Sequence, residues 1–91
     1  MRAEATVDRE RLLERLAGGS FGNVAFRDML HLVEGFGFRV LRVRGSHHIL
    51  GRAGVPEIVN LQEVRGEAKP YQIRQFLRVV ERYRLSLEGE E

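Results

Sequence analysis

Two apolar stripes of the same spacing bracket the middle of this chain. Phe26, Met29, Leu30 and Val33 recur at i, i+3, i+4, i+7, and so do Ile73, Phe76, Leu77 and Val80. That spacing places each set along one face of an α-helix, and such a stripe must be buried against something. The stretch between them is rich in Val, Ile, Leu and Arg and is cut by Gly45-Ser46 and by Gly51 and Gly54 to Pro56. It reads as three short strands, near 38–44, 47–52 and 57–63. A run of strands between helices predicts an α+β fold, a three-stranded antiparallel sheet with the helices on one face and the other face open.

The ends of these elements carry their own signals. Pro70 suits the first position of the last helix, where its missing N–H is not needed. That helix is expected to end near Tyr83 or Arg84, and Gly66 to begin a polar loop before it. Asn23 is the candidate cap of the helix that follows it, and Gly35 and Gly37 stop that helix. Upstream, VDRERLLERLA (7–17) sets Val7, Leu12, Leu13 and Leu16 among charges, with Asp8 as a cap and Gly18-Gly19 as a stop. We therefore divide the 91 residues into an N-terminal helical extension (1–22), a central domain (23–85) and an acidic tail (86–91).

Cysteine is absent, so there is no disulfide framework and no Cys-based zinc site. No apolar run approaches the roughly 20 residues that span a bilayer, and the charged N-terminus MRAEATVDRERLL lacks the apolar core of a secretory signal. A cytoplasmic protein with no membrane association is the expectation. The formal net charge of +2 conceals a segregation. Arg39, Arg42, Arg44 and Arg52 fall in a stretch without an acid, whereas Glu88, Glu90 and Glu91 close the chain. A basic stretch of this kind attracts phosphates or acidic partners. It is also compatible with an ordinary solvated surface.

Chemistry concentrates in RVRGSHHILGR (42–52). Imidazole titrates near neutrality and suits the proton transfers of RNA cleavage. Neighbouring strand residues point to opposite faces, so His47 and His48 do not enter one site together unless a bulge re-aims one of them. Arg42 and Arg44, two apart, share a face and can grip phosphates or stay solvated. Gly45 and Ser46 suit a phosphate-binding turn or a plain hairpin turn. Lys69 precedes a helix whose N-terminal amides favour an anion, and it is equally a loop lysine. Phe26, Phe36, Phe38 and Phe76 are assigned to the core. Tyr71 and Tyr83 are open to base stacking or to covering the core edge.

The segment GFRVLRVRGSHHI (37–49), followed by KPYQIRQFL (69–77), resembles the HicA family of toxins in its Gly-Phe, Arg and Gly-Ser-His order and in its Lys-Pro-led final helix. The resemblance covers about residues 23–85. It implies a double-stranded-RNA-binding-like fold and a metal-independent, cofactor-free endoribonuclease that cleaves mRNA. It also implies His47 as the catalytic residue and control by a HicB-type antitoxin, with Arg42, Arg44, Ser46 and Lys69 the candidate RNA contacts by their own chemistry. It places His47 rather than His48 on the open face. A fold of this type reads shape and phosphates more than sequence, so weak sequence preference is expected. Two features depart from the family pattern. Many members carry a second His after a Val-Pro in the third strand, where this chain has Asn60-Leu61-Gln62, and residues 1–22 exceed the usual domain. The alternatives are a noncatalytic RNA- or DNA-binding module and a protein-interaction domain of the same fold.

Overall fold

The computed structural model describes residues 8–88. Its elements are α1 (Arg9–Ala17), α2 (Phe26–Gly35), β1 (Arg39–Arg44), β2 (His47–Arg52), β3 (Val55–Val64), β4 (Glu67–Ala68) and α3 (Pro70–Arg82). The strands form one antiparallel sheet in the order β1-β2-β3-β4. Among the described residues no helix is long and apolar enough to cross a membrane. Val7, Glu90 and Glu91, to which the sequence assigned a place in the N-terminal helix and the acidic tail, lie outside the described residues.

The two helical stripes meet over one face of the sheet. Phe26, Met29 and Val33 of α2 and Ile73 and Phe76 of α3 are buried with Leu50, Val59 and Leu61 from the strands. Leu30, Leu77 and Val80 pack on the margin of this core, while Leu32 and Val79 join its centre. Phe76 meets Phe36 and Phe38 edge-on, with ring centres 5.4 and 5.8 Å apart, an arrangement that the aromatic quadrupole favours. α1 is capped by Asp8, whose carboxylate accepts from the Glu10 amide. It adds Leu12 and Leu16 to the same core. Arg9 ties it to α2, donating from Nε to the His31 carbonyl at 2.7 Å. Past α3 the chain returns to bury Leu87, and the Glu88 amide donates to the Gly35 carbonyl.

The sheet has four strands where the sequence predicted three. Arg65 and Gly66 both take positive φ, 54° and 80°, the two-residue hairpin geometry that matches strand twist. The expected loop at Gly66 is therefore a tight turn that folds Glu67–Ala68 back onto Glu63 and Val64. This hairpin also changes the start of α2. The helix is preceded by Ala25, without a side-chain cap, and Asn23 adopts φ 57° instead of capping. The Phe26 amide donates to the Gly66 carbonyl at 2.8 Å, and Ala25 bridges Glu67. Backbone of the hairpin satisfies a helix-start amide that a cap would otherwise serve.

Candidate RNA-cleaving face

Cross-strand partners in an antiparallel ladder project to the same side of the sheet. Val43, His48 and Leu61 form one rung, and Leu61 is fully buried, so that rung faces the helices. The neighbouring rungs, Arg44–His47–Gln62 and Arg42–Ile49–Asn60, therefore face away from them. His47 and His48 part company at this point. The ring of His48 lies 4.7 Å from that of Phe26, beneath α2, and its Nδ1 is buried without a partner. His47 stands on the uncovered face, directly opposite Arg44.

A bulge gathers further charge there. β1 uses one more residue than β2 between the pairs Val40↔Leu50 and Arg42↔Ile49, and Leu41 is the extra one. Arg39 pairs with Gly51, on the open side. The bulge shifts the alternation so that Arg42 and Arg44 fall on that side as well. Three guanidinium groups thus line one face of an edge strand that is exposed along its whole length. Among the described residues none of the three makes an ion pair or side-chain hydrogen bond. Leu41, 62% exposed, crosses the open face over Gly51, where a Cβ would lie 3.0 Å from its Cδ1.

The polar groups next to His47 come from β3 and the β1–β2 turn. The Asn60 Oδ1 lies 3.4 Å from His47 Nδ1. The Asn60 carbonyl oxygen can only accept, so the contact suits the tautomer with the proton on Nδ1, in which Nε2 keeps its lone pair. Gln62 Nε2 donates to Ser46 Oγ at 3.4 Å, which holds the Gly45-Ser46 turn beside His47. Gly45 takes φ 58° in that turn, a conformation open to glycine at little cost.

Of the residues singled out in the sequence, Arg42, Arg44, Ser46 and His47 come together. Lys69 does not join them. It lies beyond β4 at the start of α3, its Nζ 5.8 Å from the centre of the Tyr71 ring. Tyr83 donates from its hydroxyl to Glu57 at 3.0 Å, and Arg82 pairs with the same carboxylate. These two interactions hold the Glu57 carboxyl below its ordinary value, the Arg82 hydrogen bond contributing most. Arg39, Asn60 and Gln62 were missed as site residues. Counting back from the 45–46 turn would have set Arg44 opposite His47, but nothing local announces the bulge that recruits Arg39. Among the described residues no group of three or more His, Cys, Asp or Glu side chains stands close enough to hold a metal ion.

The sequence model of the family described as HicA toxin of bacterial toxin-antitoxin matches residues 26–81, more than half of the chain. This chain belongs to the HicA toxin family. The match begins at the first residue of α2 and runs to the last turn of α3, so it takes in the whole sheet and both helices that cover it. As a HicA-family toxin, the protein is one half of a toxin–antitoxin pair and has a cognate antitoxin as its partner. No curated protein and no solved structure gives a significant match to the chain.

Proposed function

We propose that this HicA-family toxin is an endoribonuclease that cleaves mRNA without a metal ion, with His47 as its proton-transfer group. The observation that carries this reading is the placement of His47 opposite Arg44, on the sheet face that no helix covers. Nε2 of His47 takes the proton of a ribose 2′-hydroxyl. The 2′-oxygen attacks the adjacent phosphorus, the bond from phosphorus to the 5′-oxygen breaks, and the leaving oxygen collects a proton from water or from the imidazolium just formed. Arg42 and Arg44, joined by Arg39, hold the flanking phosphates and offset the charge that grows on the phosphoryl oxygens. The Ser46 hydroxyl donates to a phosphate oxygen at the turn. Lys69 and the start of α3 serve as an outlying backbone contact. The activity belongs to residues 23–85, with 1–22 and 86–91 as additions to it. A HicB-type antitoxin silences the toxin in the cytoplasm by covering the open face.

Purified full-length protein, incubated with single-stranded RNA and a chelator, is expected to cut it. The His47→Ala variant is expected to lose at least about 100-fold in rate, the lower end of what a positioned acid–base group contributes, with an unchanged circular dichroism spectrum. A 2′-deoxy substitution at the cut site should block cleavage. Equal cleavage by mutant and wild type removes His47 from the mechanism. Salt-dependent RNA binding without any cleavage turns the reading to a noncatalytic RNA-binding module.

A further inference from the structure

A groove of about 310 Å³ runs between α3 and the outer edge of β3, lined by Ile58, Asn60, Gln72, Gln75 and Arg78 among others. Its size is at the lower end of small-molecule sites, roughly 300–1,000 Å³. It adjoins the open face through Asn60, which contacts His47 with its side chain and lines the groove as well.

The chemistry of the groove is set by a buried amide. Gln72 is 3% exposed, and it is the buried polar residue among those described. Its Oε1 accepts from the Gln62 backbone amide at 2.6 Å. That bond fixes the orientation of the amide plane and leaves the Nε2 protons, which have no partner among the described residues, as the end presented to the groove. Arg78 has no partner among the described residues either. The backbone adds a third donor. The Glu63 amide points to β2, where it meets the Ser46 carbonyl. Alternation along an antiparallel strand then turns the amides of Gln62 and Asn60 outward. Gln72 occupies the first, and the second faces the groove.

An added peptide strand fits this edge poorly. Between the pairs Leu50↔Val59 and Arg52↔Val55, β3 uses four steps where β2 uses two, so the strand arches away. Pro56 within the arch has no amide hydrogen to offer. Only a short regular stretch remains, and Gln72 already closes one end of it. A flat group with hydrogen-bond acceptors on its edge fits better, with Ile58, 59% exposed, offering an apolar rim for its face.

We propose that this groove is a nucleobase subsite of the RNA-cleaving face, resting on the function proposed above. It receives the unstacked base of a nucleotide next to the scissile phosphate. Its donors, Gln72 Nε2, the Arg78 guanidinium and the Asn60 amide, select bases that present carbonyl oxygens (uracil, guanine and, through O2, cytosine) over adenine, which has none. Single-stranded RNA is commonly read through such splayed bases, and the expected weak sequence preference is sharpened at one position.

The test uses full-length His47→Ala protein, which does not destroy its ligand, and single-stranded oligo-U and oligo-A followed by fluorescence anisotropy. Oligo-U is expected to bind about tenfold tighter, as one good edge contact supplies. Gln72→Glu keeps the acceptor for the Gln62 amide and replaces the donor with a second acceptor. In that variant the preference should vanish or invert. Arg78→Ala, at an exposed position, should bring oligo-U down to the level of oligo-A. An unchanged preference in both variants, or no preference at the start, overturns the proposal. So does an equal weakening of both ligands in Arg78→Ala, which marks a phosphate contact only. Cleavage by wild type is measured separately. Its absence defeats the ribonuclease reading, while the binding preference still decides the groove.

Discussion

The Nδ1 of His47 and the Oδ1 of Asn60 lie 3.4 Å apart on the uncovered face of the sheet, on adjacent strands. The contact holds the ring by Nδ1, and in the proposed mechanism Nε2 is the nitrogen that takes the proton. Replacing Asn60 with Ala should lower kcat for RNA cleavage about 3- to 10-fold, the value of one modest hydrogen bond. Single-turnover kinetics on a defined RNA check this. The sharper diagnostic is the pattern of products: the cut should stay at the same bonds, because the ring remains in place and only its orientation loosens.

Arg42 and Arg44 should act on binding rather than on the proton transfers. The Arg42→Ala/Arg44→Ala pair is expected to raise the Kd for single-stranded RNA. It should also lower the slope of log K against log salt by about 0.7 for each phosphate that is no longer neutralised. Titrations at several salt concentrations measure the slope directly. An unchanged slope would place the RNA path elsewhere on the molecule.

His48 should behave in the opposite way to its neighbour. Its buried Nδ1 lacks a partner beside the Phe26 ring, and an unsatisfied buried polar atom is a cost to folding. His48→Leu is expected to stabilise the protein by about 1 kcal/mol in urea unfolding. RNA cleavage should persist. Loss of cleavage with gained stability would show that His48 has a chemical role despite its place under α2.

Glu57 links β3 to the end of α3 through Arg82 and Tyr83. Its folded-state carboxyl titrates below the ordinary value of 4.5, so the folded protein binds that proton less readily than the unfolded chain. The stabilisation from this link is complete above the ordinary value and declines as pH falls through the lowered one. The thermal midpoint of wild type should therefore fall more steeply below about pH 4.5 than that of Glu57→Gln. Melting curves across the acid range compare the two slopes directly.

Much of the architecture follows from local pattern. The stripes at Phe26–Val33 and Ile73–Val80 each require an apolar surface to bury against, and strand alternation sets His47 and His48 on opposite faces where no bulge falls between them. Pro70 and Asp8 mark helix starts by chemistry that acts within a turn. Asn23 has the same local signal and does not cap. The neighbouring hairpin supplies backbone to α2 first, and its two-residue turn at Arg65-Gly66 is also what adds the fourth strand.

The surroundings of His47 depend on strand pairing. Whether Arg39 shares a face with Arg42 and Arg44 is decided by one extra residue at Leu41, and no residue type there announces a bulge. Asn60 becomes the neighbour of His47 only through the β2–β3 register, thirteen residues away in the chain. The sequence by itself determined the three helices, the three longer strands and that a basic, imidazole-bearing hairpin exists, because those depend on interactions within a few residues. The tertiary structure alone decided which guanidinium groups, amides and imidazole share the open face, because that is set by cross-strand register, and a one-residue slip sends every side chain to the other side.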